Sequence, residues 1–525
     1  MQKALEMGKK SAVGSFQLFI GVAASTIIMA IGTIILARLM KPEEYGLYSI
    51  ALIPTYTAIL FRDWGINSAI TKYTASLRAE NKENETRKII LAGLTFEITT
   101  GLILSLILIT LSNFMATTIF QRPESSKLIA IASTTVLAGS IIISAQSSFI
   151  GFEKMEFNSL TNICQAIVKT VTSPILVLIG YSALGATLGY TISFSASAII
   201  SLTILYLNII KKLKPGNPKK TNVVQTLKGM LRYGVPLSIA SIITGFLVQF
   251  YAFLMAIYCD NAMIGNYQVA TQFSTLITFF TIPISTVLFP VFSKINPQKE
   301  SELLQTVFTS SVKYSAFILI PATIAVMVLS KPMISTLFGE KWTYAPLFLT
   351  LYVMGNLFAI FGSLSLGSLL AGIGETKTQM KLSLITLTFG IPLALLLIPT
   401  ARIIGLIITS ITAGIPSLFL GLHWIWKRYR IKADVKSSAK ILAASIMAAA
   451  LTLLTTSTIK YAADWMELTV GGLTFVTAYL ITAPLIGAIN KADTQNLKTM
   501  FSELGIISKI LNIPIKTMEK LSKIT

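Results

Sequence analysis

Histidine and cysteine are all but missing from this chain of 525 residues, which holds one of the first, His423, and two of the second, Cys164 and Cys259. A Cys/His metal centre of the usual kind needs more ligands than that. The five aspartates, at 63, 260, 434, 464 and 493, include no Asp-x-Asp pair of the sort that holds a metal-bound diphosphate. Charge is scarce as well, at 12% of residues against about 25% in an ordinary soluble domain. Hydrophobic residues make up 53%, and the mean hydropathy is +0.73. These shortages exclude a cytosolic enzyme, a disordered chain and a nucleic-acid-binding domain, and no cofactor is expected.

What the chain has in quantity is long apolar runs. They lie at roughly 14–37, 46–62, 89–111, 127–149, 159–180, 184–210, 233–257, 266–290, 314–330, 346–371, 382–399, 403–426, 440–459 and 468–489, each near the ~20 residues that cross a bilayer. The runs are continuous and not alternating, which excludes a β-barrel. The expected fold class is an all-α polytopic membrane protein with fourteen transmembrane helices. Lys3, Lys9 and Lys10 precede the first run, which is too long for a signal-peptide core and lacks a small-residue cleavage site, so it reads as a retained helix.

The net charge of +21 is loop charge that sets orientation. The loops on the side of the N-terminus hold Lys72, Arg78, Lys82, Arg87 and Lys88, then the KKLKPGNPKK stretch with Lys228 and Arg232, then Lys427, Arg428, Arg430, Lys432, Lys436 and Lys440. The other side has only Arg38, Lys41, Arg122, Lys127, Lys331, Lys341, Arg402 and Lys460, a balance of 34 to 8 with Lys169 set aside as intramembrane. The positive-inside rule therefore puts both termini in the cytoplasm.

The chain also repeats itself. A Gly-x-Tyr-x-x-Ala at Gly46, Tyr48 and Ala51 recurs at Gly265, Tyr267 and Ala270, and Met115, Thr118 and Phe120 recur as Met333, Thr336 and Phe338. Pro174 and Pro392, Gly185 and Gly405, and the pair Gly151/Lys154 and Gly374/Lys377 keep nearly the same offset. Two parallel six-helix repeats result, plus two C-terminal helices: a lobe over 1–210, a basic linker over 211–232, a second lobe over 233–426, two further spans over 427–490 and a cytoplasmic amphipathic tail over 491–525. In the recurrent motif the glycine is expected at a tight turn and the tyrosine at the outer interface. Two such lobes that rock about a cleft are the architecture of a transporter, and no filter-like motif of a channel is present.

On these residues the sequence resembles the prokaryotic polysaccharide and lipid-linked oligosaccharide flippases of the multidrug/oligosaccharidyl-lipid/polysaccharide exporter superfamily. LARLMKPEEYGLYSIA at 36–51 is similar to that family's hairpin between helices 1 and 2, RDWGINSAITKY at 62–73 to the stretch after its second helix, and RYGVPLSIAS at 232–241 to its entry into helix 7. LFGEKW at 337–342 and AGIGETKTQ at 371–379 resemble its 9/10 and 10/11 connections, so the likeness covers residues 10–430. The resemblance implies flipping of an isoprenoid-phosphate- or pyrophosphate-linked oligosaccharide from the cytoplasmic to the outer leaflet of the plasma membrane, for polysaccharide or glycan biosynthesis, by alternating access. Its partners would be that lipid-linked oligosaccharide, membrane lipids and glycosyltransferases of the same pathway, with no nucleic acid.

Flipping breaks no bond, so no catalytic triad is sought. A phosphate needs cations in the cleft, and a charge at mid-membrane costs roughly 2.5–3.5 kcal/mol, which makes each one a functional candidate. Lys169 and Glu97 stand at similar depth in the first lobe and are expected to pair when the cleft is empty, Lys169 being released to the phosphate when substrate binds. Arg62 beside Asp63 at the cytoplasmic end of the second helix, Arg232 at the start of the seventh and Lys313 at the start of the ninth are expected to form a basic entrance, arginine suiting phosphate through its planar fork. For each of these the bland reading is a headgroup anchor or a structural salt bridge. Intramembrane Asn162, Gln165, Gln249, Gln272 and Asn356 are candidates for the glycan path, with interhelical bonding as the other explanation.

Competing functions are a cation-coupled multidrug exporter of the same superfamily, a peptidoglycan-precursor lipid flippase, and a membrane glycosyltransferase or ligase. The first is disfavoured by the scarcity of acid in the early helices, where helix 3 has only Glu97. Against the second, helix 1 carries only Arg38, at its outer end, and against the third the outer loops are short and nearly featureless. After Asp493, Leu497, Met500, Phe501, Leu504, Ile507 and Leu511 recur at helical spacing with lysines nearby, as in a helix lying on an anionic leaflet.

Overall fold

The computed structural model describes residues 2–214, 223–459, 463–502 and 518–520. Every regular element among them is helical. Packing divides the chain into two compact units, Met1–Gly265 and Asn266–Thr525. Nine helical segments among the described residues are long and apolar enough to cross a membrane, or ten with the bent pair Ala345–Phe361 and Ser363–Gly372. Two of the nine, Met155–Lys212 with 58 residues and Thr376–Tyr429 with 54, would each run about 80 Å or more at 1.5 Å per residue. Each breaks where the backbone leaves the helical region, the first at Gly180 (φ 105) and Ser182 (φ 47), the second at Arg402 (φ 51).

The first unit contains α1 (Gln2–Leu39), α2 (Pro42–Leu60), α3 (Ile66–Ala79), α4 (Glu83–Phe114), α5 (Ser126–Gly151), α6 (Met155–Leu176), α7 (Ser182–Asn208) and α8 (Val223–Tyr258). Lipid-facing positions keep large apolar side chains, Leu178 and Ile199 being about two-thirds exposed. Many hydroxyls in the helices return their hydrogen to their own helix, as Ser133 Oγ does to the Ile129 carbonyl and Thr187 Oγ1 to that of Ala183. That bond is how a polar group survives where no water is available. Ser159 and Thr170 of α6 instead donate to carbonyls of α1, those of Gln17 and Ile28, and tie the two helices together.

The segment after the second apolar run, expected to be a loop, is helical. Trp64 and Gly65 take positive φ (48° and 77°) and end α2, and the chain restarts as α3. Its composition, INSAITKYTASLRA, is too polar for a hydropathy reading to find, and one face of it is buried. Lys72 therefore lies 3.8 Å over the Tyr233 ring, and Arg78 donates to the Phe152 carbonyl at 2.6 Å. At the elbow, a Cβ on Gly65 would stand 2.1 Å from the carbonyl oxygen of Gly234 in α8, and one on Gly234 would stand 2.4 Å from that of Gly65. Two backbones touch here, which only glycine permits.

The recurrent motif also differs from expectation. Gly46 lies inside α2 and Gly265 inside α9 (Asn261–Ser293), not in turns. A Cβ on Gly46 would be 1.8 Å from the Asn261 carbonyl oxygen, and one on Gly265 would be 2.1 Å from that of Pro42. The glycines serve close approach of two helix starts, and Tyr48 is buried within the protein at 5% exposure. Close by, Arg122 spends its fork on the Phe120, Ala256 and Cys259 carbonyls and on Asn261 Oδ1, at 2.5–2.7 Å, and so fastens the α4–α5 connection to the end of α8.

The second unit contains most of α9, then α10 (Ser301–Phe338), α11 (Ala345–Val353), α12 (Ser363–Gly372), α13 (Thr376–Thr412), α14 (Ile415–Tyr429), α15 (Val435–Thr458), α16 (Asp464–Leu485) and α17 (Lys491–Ser502). A core of Ile320, Ile441, Ala448, Phe475 and Ala483 joins α10, α15 and α16. Asp434 caps α15, accepting from the Ser437 amide at 3.0 Å. Between α11 and α12 the chain runs as a 3-10 helix over Met354–Phe361 and turns through Gly362 at φ 84, bending the span by 56°. Of the expected amphipathic tail, α17 is described; Leu504, Ile507 and Leu511 lie outside the described residues, as does the linker over 215–222.

Candidate functional site

The elbow between α2 and α3 decides where the charges meet. It ends α2 at Leu60 and aims Arg62 at the middle of α4, where Glu97 stands about 20 Å from the helix start at 1.5 Å per residue. Arg62 Nε lies 3.3 Å from Glu97 Oε2, with the two side chains 2% and 0% exposed. Asn67 Nδ2 donates to Glu97 Oε1 at 2.9 Å and to Asp63 Oδ1 at 2.8 Å, and the Asn67 amide caps the same aspartate oxygen. The cation is nevertheless under-supplied: Nε and Nη1 of Arg62 and Oε2 of Glu97 are buried without a hydrogen bond. A guanidinium has five donors, and here Nε faces Glu97 Oε2 at 3.3 Å without closing a hydrogen bond while Nη1 makes none.

The expected pairing of Lys169 with Glu97 is not what the structure contains. α6 packs on α1 and α7, whereas α4 packs on α3 and α5, so the two residues share a depth but not an interface. Lys169 Nζ lies instead 5.3 Å from the centre of the Tyr190 ring, and Tyr190 reaches Tyr56 hydroxyl to hydroxyl at 3.5 Å. Tyr190 also packs on Phe194 at 4.8 Å. The space beside Gly139 joins the groups, because a Cβ there would be 3.0 Å from Arg62 Nη1 and 3.7 Å from Phe194. Arg62 and Lys169 thus flank one aromatic group, whose open side is Tyr56 at 40% exposure.

The remaining expected residues do not join this cluster. Arg62 itself is buried, not displayed at an entrance. Arg232 is exposed on α8. Lys313, in the second unit, is held by Asp493 at 2.5 Å, with the Tyr314 hydroxyl on the other carboxylate oxygen at 3.5 Å. Asn162 is engaged with Gln146 and Asn158 in an amide ladder. Sequence reasoning did not single out Asn67, Tyr56 or Tyr190; the i, i+4 spacing of Asp63 and Asn67 was the one available signal.

Among the described residues no three His, Cys, Asp or Glu side chains converge as a metal site. Residues 11–296 match the model of the family described as polysaccharide biosynthesis protein. The chain belongs to that family, within the multidrug/oligosaccharidyl-lipid/polysaccharide exporter superfamily, and is a flippase-like transporter, not an enzyme. Residues 262–471 also match the model described as lipid II flippase MurJ. The lipopolysaccharide biosynthesis protein WzxC of Escherichia coli is 26% identical over 378 residues, 70% of this chain and 72% of the relative. Among solved structures, the lipid II flippase MurJ in an inward closed conformation matches with TM-score 0.72 at 17% identity, over 89% of this chain and 98% of that one. An inward-facing multidrug resistance transporter of the MATE family matches with TM-score 0.63 at 16% identity, over 79% and 95%.

Proposed function

We propose that the protein moves an isoprenoid-phosphate- or pyrophosphate-linked oligosaccharide from the cytoplasmic to the outer leaflet of the plasma membrane by alternating access, supplying polysaccharide or glycan biosynthesis. The observation that carries this reading is the buried Arg62 guanidinium, whose Nε meets one carboxylate as an ion pair and whose Nε and Nη1 make no hydrogen bond. A phosphate offers several acceptor oxygens to a fork that Glu97 only partly fills. Glu97 keeps Arg62 charged and oriented while no substrate is bound, and the incoming phosphate displaces it. Lys169 supplies the second positive charge across the Tyr190 and Phe194 rings. Arg232, exposed on α8, attracts the anionic headgroup from the cytoplasmic surface, and Lys313 joins it when its bond to Asp493 opens.

The membrane arrangement belongs to the same proposal. The two over-long segments each hold two crossings, and with the bent pair, α2 and α9 they make the fourteen spans expected, in two six-helix repeats and two added helices with both termini in the cytoplasm. Glycosyltransferases of the same pathway are the proposed protein partners. A second reading, a peptidoglycan-precursor flippase, is favoured by the lipid II flippase model over 262–471 and disfavoured by a first helix whose one arginine is Arg38.

The test is reconstitution in liposomes with a fluorescent isoprenoid-phosphate oligosaccharide, tracking its arrival on the far leaflet. Wild type is expected to flip it, and Arg62→Ala and Lys169→Ala to slow it at least tenfold. Absence of flipping, with a cationic dye expelled down an ion gradient instead, would overturn the reading in favour of a drug exporter.

A further inference from the structure

Beside the bend between α11 and α12 an open-sided cavity of about 320 Å³ lies within the second unit, lined by Tyr352, Gly355, Asn356, Phe358 and Ser363 from one side and Ser410 with its neighbours on α13 and α14 from the other. That volume falls in the range of small-molecule sites, about 300–1,000 Å³. We propose that this cavity is a subsite for the uncharged sugar residues of the transported molecule. The inference deepens the flippase reading and rests on it.

Three observations converge on it. The 3-10 stretch runs eight residues, where such turns rarely exceed three or four, and irregular backbone at membrane depth is kept where it is buried or lines a cavity. With three residues per turn, Gly355 and Phe358 share one face of that stretch, and Tyr352, in the last turn of α11, lines the same cavity. The missing side chain of Gly355 leaves room between the two rings, with Ile411 3.4 Å from where its Cβ would be.

The second observation is polar. The Tyr352 hydroxyl, the Asn356 amide and the Ser363 hydroxyl line the cavity and make no hydrogen bond among the described residues. Many hydroxyls of this unit close onto their own helix, as those of Ser445 and Thr452 do, and buried ones that do not, such as Ser365 and Thr409, do not line this cavity. An unsatisfied amide in an apolar setting costs free energy, so these groups are set for a ligand that both donates and accepts.

The third is the lack of charge. No Asp, Glu, Lys, Arg or His lines the cavity, which disfavours a cation or a phosphate. The amide and hydroxyls equally disfavour a lipid tail. Hydroxyl-rich rings with apolar faces match an amide, hydroxyls and two aromatic side chains.

The test uses the full chain in the cells that make it. The photo-reactive amino acid p-benzoylphenylalanine is placed at Ser410, on the lip of the cavity, or at Tyr56, on the open side of the first-unit cluster, and adducts are read by mass spectrometry after irradiation. Sugar-bearing adducts at Ser410 are the expected result. Glycan capture at Tyr56 with none, or with a bare acyl chain, at Ser410 would overturn the subsite and leave the flippase reading standing. Capture of glycan at neither position would overturn both.

A second measurement separates binding from support of the fold. Asn356→Leu removes an amide that the protein itself does not use, so thermal stability is expected to hold or rise while oligosaccharide flipping falls about tenfold, the scale of one or two lost hydrogen bonds. An isoprenoid phosphate without sugar is expected to move at the wild-type rate. A variant that loses stability, or slows both lipids alike, would make Asn356 structural and overturn the proposal.

Discussion

Replacing Glu97 with glutamine keeps the shape of the side chain and the bond that its Oε1 accepts from Asn67, but it removes the charge 3.3 Å from Arg62. At an effective dielectric of about 20, two unit charges at that separation attract by about 5 kcal/mol. Removing one partner of a buried pair typically costs about 3–5 kcal/mol, because the other charge stays buried without compensation. The assay is a double-mutant cycle by unfolding in detergent, with Glu97→Gln, Arg62→Gln and both together. A coupling of at least about 2 kcal/mol is expected; a value under about 0.5 kcal/mol, the scale of independent sites, would refute the pairing. The apolar replacement Arg62→Met/Glu97→Leu then divides structure from function. Hydrophobic substitutes for buried pairs are often neutral or stabilising, so this double variant is expected to fold close to wild type and yet to flip no substrate. Flipping retained in it would refute the phosphate site.

Three further outcomes stem from the packing. Gly65→Ala drives a Cβ to 2.1 Å from the Gly234 carbonyl oxygen at a φ of 77° and is expected to cost at least about 2 kcal/mol, read as loss of the monodisperse peak in size-exclusion chromatography; a wild-type profile would contradict the contact. Arg122→Lys keeps the charge but cannot present the fork to three carbonyls and Asn261, so faster proteolysis at residues 256–261 is expected, and an unchanged rate would contradict the clamp. Asp434→Ala removes the cap of α15 at a cost of about 1 kcal/mol, measured by thermal unfolding. Burial alone would raise the Asp434 carboxyl, but the hydrogen bonds from Ser437, with the Lys313 charge and the Lys436 amide, together hold the group below its ordinary value of 3.8. The cap's contribution is therefore fully present above that value and fades as pH falls through the depressed one, so the wild type and the variant should converge in stability only in strong acid.

The membrane class of the fold was plain from residues alone, because apolar runs of spanning length have few other uses. The α3 helix was not, since INSAITKYTASLRA carries too many polar residues to register in a hydropathy reading although one face of it is buried. At the candidate site, Glu97 and Lys169 stood out as charges in apolar surroundings and Arg62 as part of a basic entrance, and the structure buries Arg62 with Glu97. Their partners were misassigned for a geometric reason. Counting residues along a helix gives depth, whereas pairing also requires two helices to be neighbours and two side chains to face each other. The cavity in the second unit was half visible: Asn356 stood out as an intramembrane amide, but that Phe358 lines one cavity with it depends on a 3-10 stretch that no spacing rule for α-helices anticipates.

The contact between Gly65 and Gly234 bears on how the protein is made. A ribosome delivers α1 to α7 to the membrane before α8 emerges, so for that interval the elbow of α2 and α3 lacks the backbone that seals it. The early product is then an unfinished body with a gap beside its buried ion pair, and the helix that closes the gap comes from beyond the basic segment of 211–220. Splitting the gene at that segment would yield a first fragment with an open seam, whereas splitting it after residue 265 would keep the seal within one polypeptide. Quality control during biogenesis thus has a defined checkpoint, the arrival of α8.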